Sequence, residues 1–133
     1  MNTFTVVLED TFGADTIDEA ESFIGEDQSG SFSILHGHAR MITTLVTGLA
    51  RIRVRGNEWR YVALPGAVLY FDRNRLEVAT RRYLIGSDYT KISDALEEQL
   101  VEEERELESI KRGLRRMELN LLKRMREMGR ELV

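Results

Sequence analysis

The feature that most constrains the fold of this chain is a change in the spacing of its apolar residues near Ser87. From Thr3 to about Thr80 the apolar pattern has a period near two, which is typical of β-strands. Phe4, Val6 and Leu8 alternate with Thr3, Thr5 and Val7, and "ARIRVR" repeats the pattern. After Ser87 the apolar residues recur every three or four residues, which is the period of an α-helix. We therefore predict an all-strand head over residues 1–86 and a helical C-terminal domain over residues 87–133.

Turn signals divide the head into short strands. Gly56-Asn57 is typical of a two-residue hairpin loop, and a loop of that length would place Arg53 opposite Arg60. Alternation in the next segment, "EWRYVA", predicts that Trp59 and Tyr61 point inward. A second hairpin is indicated by "DRN" between "VLYF" and "RLEVAT". Short strands with frequent turns favour a small β-sandwich or barrel.

The C-terminal segment carries a seven-residue repeat, which is typical of helices that pack against other helices. Its apolar positions are Leu100, Leu107, Leu114, Leu121 and Met128, with Ile110 and Met117 between them. The charged residues Glu103 and Arg124 interrupt this pattern. One continuous helix and a hairpin that breaks near Ser109–Gly113 both fit, because a glycine costs only ~1 kcal/mol inside a helix.

Charge is separated along the same segment. Residues 94–108 hold eight acids and one base, whereas residues 111–130 hold eight bases and two acids. The bases that form the candidate contact surface of the tail are Arg112, Arg115, Arg116, Lys123, Arg124 and Arg126. Such blocks are either interaction surfaces or solvated helix faces. Because the net charge is −4 and the bases adjoin an acidic block, nucleic acid is not an expected partner.

Two absences in the composition limit where and how the chain can act. It contains no cysteine, which excludes disulfides and thiolate metal sites. No apolar run reaches the ~18 residues of a membrane span, and the N-terminus lacks a basic-then-apolar signal. We expect a cytosolic or peripheral protein without a transmembrane segment.

The motif His36-Gly37-His38 raises the question of a metal site. With Gly30 upstream it is similar to the metal-binding pattern of cupins, which also needs a carboxylate four to five residues later and a third histidine. Those carboxylate positions hold Ile42 and Thr43, and the chain has only two histidines. A catalytic divalent ion is held by three or more protein ligands. We therefore predict no metal and no cofactor, and the chain does not read as an enzyme by itself.

The same residues match another family. "GHA" at 37–39, preceded by "GSFSILH" and followed by "MITTLVTGLARI", resembles the epsilon subunit of F-type ATP synthases. The resemblance continues in order through "ALPGAVLYF" and "LEVATRRYLIGSDY" into the charged tail. It implies a sandwich of about ten strands that packs against the gamma subunit and rests on the ring of c subunits. The subunit would be peripheral, on the cytoplasmic face of the inner membrane, and would couple proton or sodium transport to ATP synthesis.

The resemblance also implies which residues act. Gly37, His38 and Ala39 carry over as rotor-interface residues, and Arg40 and Ser31 join them at positions where the family has a proline and an acid. For His38, a turn histidine that is only locally hydrogen-bonded is the alternative. The family's tail can extend into the catalytic hexamer of alpha and beta subunits and block ATP hydrolysis.

One family property does not carry over, and one other function remains open. Some members bind ATP at the start of the tail, but this chain has Thr90 and Ser93 in place of the motif's aspartate and arginine. ATP binding is therefore not expected.

The alternative function, from another class, is a free-standing β-sandwich adaptor that dimerises through its heptad helix.

Overall fold

The computed structural model describes the backbone of residues 2–131 and the side chains of residues 2–129. Within them the chain forms nine strands and then one helix. The elements are β1 (Phe4–Asp10), β2 (Gly13–Asp27), β3 (Gly30–Leu35), β4 (Met41–Leu45), β5 (Gly48–Val54), β6 (Glu58–Leu64), β7 (Ala67–Asp72), β8 (Arg75–Ala79), β9 (Leu84–Gly86) and α1 (Tyr89–Glu131). The predicted all-strand head followed by a helical segment is confirmed, with nine strands rather than about ten.

The strands form a sandwich because β2 belongs to both of its layers. The 15-residue β2 pairs with β1 along its first half and with β3 and β5 along its second half. One layer has the order β1-β8-β7-β4, with β1 and β8 parallel, and the other continues through β5, β6 and β9. At the far end, Asp27 of β2 pairs with Leu45 of β4 and joins the two layers again.

The core lies between these layers and follows the predicted alternation. Phe4, Val6 and Leu8 of β1 are almost completely buried, at 2%, 0% and 0% exposure. The other large side chains that are fully buried come from six of the strands: Phe23, Ile34, Ile52, Val62, Leu64, Leu69, Phe71, Leu76 and Val78. No polar or charged residue is buried among the residues that the structure describes. Packing across two sheets makes such a head stiff.

The hairpin between β5 and β6 differs from the prediction. Val54 pairs with Glu58, so the loop has three residues, and Gly56 and Asn57 in it have φ angles of 91° and 61°. Arg53 therefore lies opposite Trp59, and the predicted pairing of Arg53 with Arg60 is wrong. The longer loop removes the cross-strand arginine pair, which would have been destabilising.

The one-residue change of register also reverses the faces of β6. Val62 is fully buried, whereas Tyr61 is half-buried on the opposite face of the sheet. There its ring meets the ring of Tyr89 edge-to-face, with centroids 5.4 Å apart. The prediction that Trp59 and Tyr61 point into the sandwich is wrong, because a slip of one residue exchanges the two faces of a strand.

The tail is one continuous helix, which decides between the two alternatives. Helix α1 begins after Asp88, whose carboxylate accepts a hydrogen bond from the backbone N–H of Lys91 at 3.3 Å as an N-cap. It runs without interruption through Ser109–Gly113. The chain separates into two compact units, Met1–Glu97 and Glu98–Val133, so the first turns of α1 belong with the head.

Candidate partner interface at the Gly37 turn

The residues singled out by their sequence lie in the turn that joins β3 to β4. The backbone N–H of His38 donates to the carbonyl oxygen of Leu35 at 3.1 Å, which closes a four-residue turn. Gly37 is its third residue and has a φ of +77°, the value required there by a type II turn. Proline is common at the second position of such a turn, and His36 occupies it here.

A second turn holds the first one in place. The backbone N–H of Gly37 donates to Oδ1 of Asn74 at 2.7 Å. Asn74 and Arg73 connect β7 to β8 and have φ angles of 58° and 51°, as in a type I′ hairpin turn. The second predicted hairpin is thus confirmed. Because the two turns are hydrogen-bonded to each other, this end of the head presents a fixed backbone surface.

His38 is exposed but its ring has a defined orientation. Its Nδ1 lies 2.7 Å from the carbonyl oxygen of Ala39, and since a carbonyl can only accept, Nδ1 is the donor. The ring also meets the buried ring of Phe71 edge-to-face, with centroids 5.8 Å apart. Phe71 in turn packs on Phe4 at 5.7 Å. The local contacts therefore orient the His38 ring and leave Nε2 for another partner.

An exposed apolar surface adjoins this turn. The guanidinium of Arg40 lies 5.8 Å above the ring of Tyr70 on β7, and Ile42 of β4 pairs with the same tyrosine. Ile42 is 71% exposed, and Val68, two residues before Tyr70, is 49% exposed. We call Arg40, Ile42, Val68 and Tyr70 the outer β4–β7 face.

Of these four residues only Arg40 was predicted from the sequence as an interface residue. The signal was available in "VLYF", where apolar residues occupy both faces of β7 rather than alternate with polar ones. A strand that is apolar on both faces is typically covered on both.

Ser31 lies apart from the other predicted interface residues. It stands near the start of β3, whereas Gly37 follows the end of that strand. From Ser31 to the last strand residue, Leu35, the strand rises by about 13 Å at ~3.3 Å per residue, and Gly37 lies in the turn beyond it. Ser31 pairs with the exposed Glu26 of β2, so a carboxylate that the sequence analysis did not single out stands beside it.

The turn between β2 and β3 is held by Asp27. Its carboxylate accepts hydrogen bonds from the backbone N–H of Ser29 at 2.9 Å, from the Ser29 hydroxyl, and from the hydroxyl of Thr43 at 2.9 Å. These hydrogen bonds, first that of the Ser29 hydroxyl and then that of Thr43, lower the pKa of Asp27 below its ordinary value. The ionised carboxylate thus links β2, the turn and β4.

The two histidines lie in a turn rather than side by side on a strand. The structure, over its described residues, contains no group of three or more histidine, cysteine, aspartate or glutamate residues that could hold a metal ion. Thr90 and Ser93 lie in the first turns of α1, at an exposed and a half-buried position.

The candidate tail contacts all lie on α1 and are exposed. The bases Arg112, Arg115, Arg116, Lys123, Arg124 and Arg126 are spread over several turns of that helix. Arg112 makes one ion pair, with Glu108 at 3.9 Å, one turn earlier. Within the part of the chain that the structure describes, no helix has the length and apolar character needed to cross a membrane.

Residues 3–85 match the family described as ATP synthase, delta/epsilon chain, β-sandwich domain. The chain belongs to this family. It is 34% identical over 79 residues to ATP synthase epsilon chain 2 of Cereibacter sphaeroides. That alignment covers 59% of this chain and 54% of the relative. It is 29% identical over 86 residues to the ATP synthase epsilon chain of Prochloron didemni, or 65% of this chain and 62% of that one. The chain thus spans about half the length of the relatives it matches.

Solved structures share the fold. A chain of the Euglena gracilis mitochondrial ATP synthase, in a structure of OSCP, F1 and c-ring, superposes with a TM-score of 0.58 at 17% identity. That match covers 73% of this chain and 62% of the other. A chain of the Tetrahymena thermophila mitochondrial ATP synthase central stalk and c-ring superposes with a TM-score of 0.52 at 13% identity, covering 60% and 64%.

Proposed function

We propose that this chain is the epsilon-type subunit of the central stalk of an F-type ATP synthase. The observation that carries the proposal is the family match over residues 3–85, which contains the whole Gly37 turn and the outer β4–β7 face. In this role the head transmits rotation, which requires a stiff body and a fixed contact surface rather than a reactive group. It would be a peripheral subunit on the cytoplasmic face of the inner membrane, without a cofactor of its own.

The partner of the Gly37 turn and the outer β4–β7 face is, in this proposal, the gamma subunit. Ile42 and Val68 are apolar and exposed, and burying them against a partner contributes about 25 cal/mol per Å². Arg40 and Tyr70 border this apolar area, and arginine and tyrosine are enriched in protein interfaces. The ring of c subunits would be met by the end of the head that carries Ser31 and Glu26.

Substitution on the outer face tests the gamma contact. Ile42→Arg places a charge in the apolar area, and we expect this variant to lose copurification with gamma. The matched control is Phe12→Arg, because Phe12 is 83% exposed and lies in the turn between β1 and β2, outside the outer β4–β7 face. Circular dichroism would confirm that both variants are folded. Copurification of Ile42→Arg at the native level would contradict the proposed interface.

The basic part of α1 would regulate the assembly. We propose that Arg112, Arg115, Arg116, Lys123, Arg124 and Arg126 contact acidic loops of the alpha/beta hexamer transiently and slow ATP hydrolysis. The observation that supports this contact is that all six side chains are exposed on one continuous helix. Arginine can make two-point contacts with carboxylates, so the contact would be specific as well as attractive.

A further inference from the structure

Helix α1 carries a long apolar surface that no described residue of its own unit covers. Over residues 98–129, which the structure describes with side chains, seven of its large apolar residues are exposed by 38% to 68%. We call them the apolar stripe: Leu100, Leu107, Ile110, Leu114, Met117, Leu121 and Met128. Their spacing of three and four residues places them along one side of the helix. A stripe of this length in water is stabilised by a second helix that carries the same spacing.

Two charged residues lie within the stripe and decide how such a helix can be oriented. Glu103 lies between Leu100 and Leu107, and Arg124 lies between Leu121 and Met128. Both continue the spacing of three and four, so both face whatever covers the stripe. They have opposite charge and lie at nearly equal distances on either side of Gly113.

We propose that two copies of the chain pair their α1 helices antiparallel along the apolar stripe, centred near Gly113. In this arrangement Leu107 lies across from Met117 of the second copy, and Ile110 lies across from Leu114. Glu103 is then within one helical turn of Arg124 of the second copy, and this contact occurs twice. A parallel pair would instead place Glu103 against Glu103 and Arg124 against Arg124, which is destabilising.

The distribution of charge over the whole helix favours the same orientation. Residues 94–108 hold eight acids and one base, and residues 111–130 hold eight bases and two acids. An antiparallel pair places the acidic part of each helix along the basic part of the other, and a parallel pair places like charge along like. An anionic bilayer could attract the basic part, but it would repel the acidic part through which the stripe continues.

The pairing does not depend on the proposed function. A helix whose stripe is covered by a second copy cannot offer that stripe to a third partner. Pairing therefore describes the free chain, and it would compete with any contact of the stripe in a larger assembly.

Charge reversal in the full chain tests both the pairing and its orientation. Sedimentation equilibrium is expected to show a dimer for the native chain. Glu103→Arg and Arg124→Glu each place like charges side by side, and each should weaken dimerisation about tenfold. The double variant Glu103→Arg/Arg124→Glu restores the opposite charges and should return to within about threefold of the native dissociation constant. In a parallel pair neither single reversal would weaken the dimer, because each only exchanges one like-charge contact for another.

Disulfide formation gives an independent readout of orientation, because the chain has no cysteine of its own. A mixture of Leu107→Cys and Met117→Cys chains should form a mixed disulfide upon mild oxidation. Leu100→Cys alone should form none, because the two copies of that residue would lie at opposite ends of the pair. A monomer at about 100 µM, where a micromolar pair would be assembled, would overturn the proposal. A Leu100→Cys disulfide, or a monomer that binds phosphatidylglycerol vesicles through α1, would overturn it as well.

Discussion

At the scale of single residues, the Gly37 turn shows how a backbone conformation can select a residue type. Gly37 has a φ of +77°, and a Cβ added there would meet nothing within 4 Å. The glycine is therefore required for its conformation and not for space. Only glycine adopts such a φ without cost, since left-handed backbone costs other residues roughly 1–2 kcal/mol.

Replacing Gly37 measures this conformational cost. We expect Gly37→Ala to lower the free energy of unfolding by about 1–2 kcal/mol, measured by urea denaturation. Gly48→Ala is the matched control, because a Cβ at Gly48 also meets nothing within 4 Å but its backbone is not left-handed. That control should be neutral or stabilising by up to about 1 kcal/mol, because alanine restricts the unfolded chain. Equal losses for both variants would show that the turn does not need glycine.

Asp27 links stability to pH. Because hydrogen bonds lower its pKa in the folded chain below 3.8, its stabilisation is fully present above pH 3.8 and is lost as the pH falls through the lowered pKa. Asp27→Asn should therefore be less stable than the native chain at pH 6, and the difference should shrink by pH 3. Unfolding by urea at the two pH values measures it. A difference that is the same at both pH values would contradict the role of the ionised carboxylate.

At the scale of elements, the first turns of α1 belong to the head because of their contacts with it. Tyr89 packs on Tyr61, and Ile92 lies so close to β9 that a Cβ at Gly86 would be 2.9 Å from its Cδ1. The predicted boundary after residue 86 marks the end of the last strand, whereas the compact units divide after Glu97. The change in the spacing of apolar residues indicates where the strands end. It does not indicate which side chains of α1 pack on the head.

The contact between Gly86 and Ile92 can be tested by a pair of substitutions. Gly86→Ala should destabilise the head by about 1 kcal/mol, because the added methyl group forces Ile92 to shift. Ile92→Ala removes the clashing atoms, so the double variant should lose less stability than the two single losses added together. Additive losses would show that β9 and the first turn of α1 do not contact each other as described.

At the scale of the whole molecule, the head and the distal helix have separable roles in the proposed function. A chain that ends after Glu97 keeps the contacts of Tyr89 and Ile92 with the head. We expect it to assemble with gamma and to raise ATP hydrolysis of the complex several-fold. A chain that ends after Asp88 should do the same, but its head should be less stable by about 1–2 kcal/mol, because Ile92 no longer packs. Unchanged hydrolysis in both would contradict inhibition by the tail and leave the structural role intact.

The class of structure could be predicted from the sequence, because periodicity and turn signals are local. Alternation in β1 predicted the buried Phe4, Val6 and Leu8, and the family motif located the Gly37 turn. The turn signal "DRN" predicted the hairpin of β7 and β8. Each of these depends on neighbours within a few residues, which a single sequence displays directly.

Features that depend on distant parts of the chain could not be predicted and became visible in the folded structure. The three-residue loop at Gly56 shifted the register of β6 and moved Tyr61 out of the core, because packing against the opposite sheet selects the face. The hydrogen bond from the backbone N–H of Gly37 to the side chain of Asn74 joins two turns that are distant in sequence into one surface. The tail became one helix because its intrahelical hydrogen bonds outweigh the small cost of Gly113, a balance that the heptad pattern leaves open.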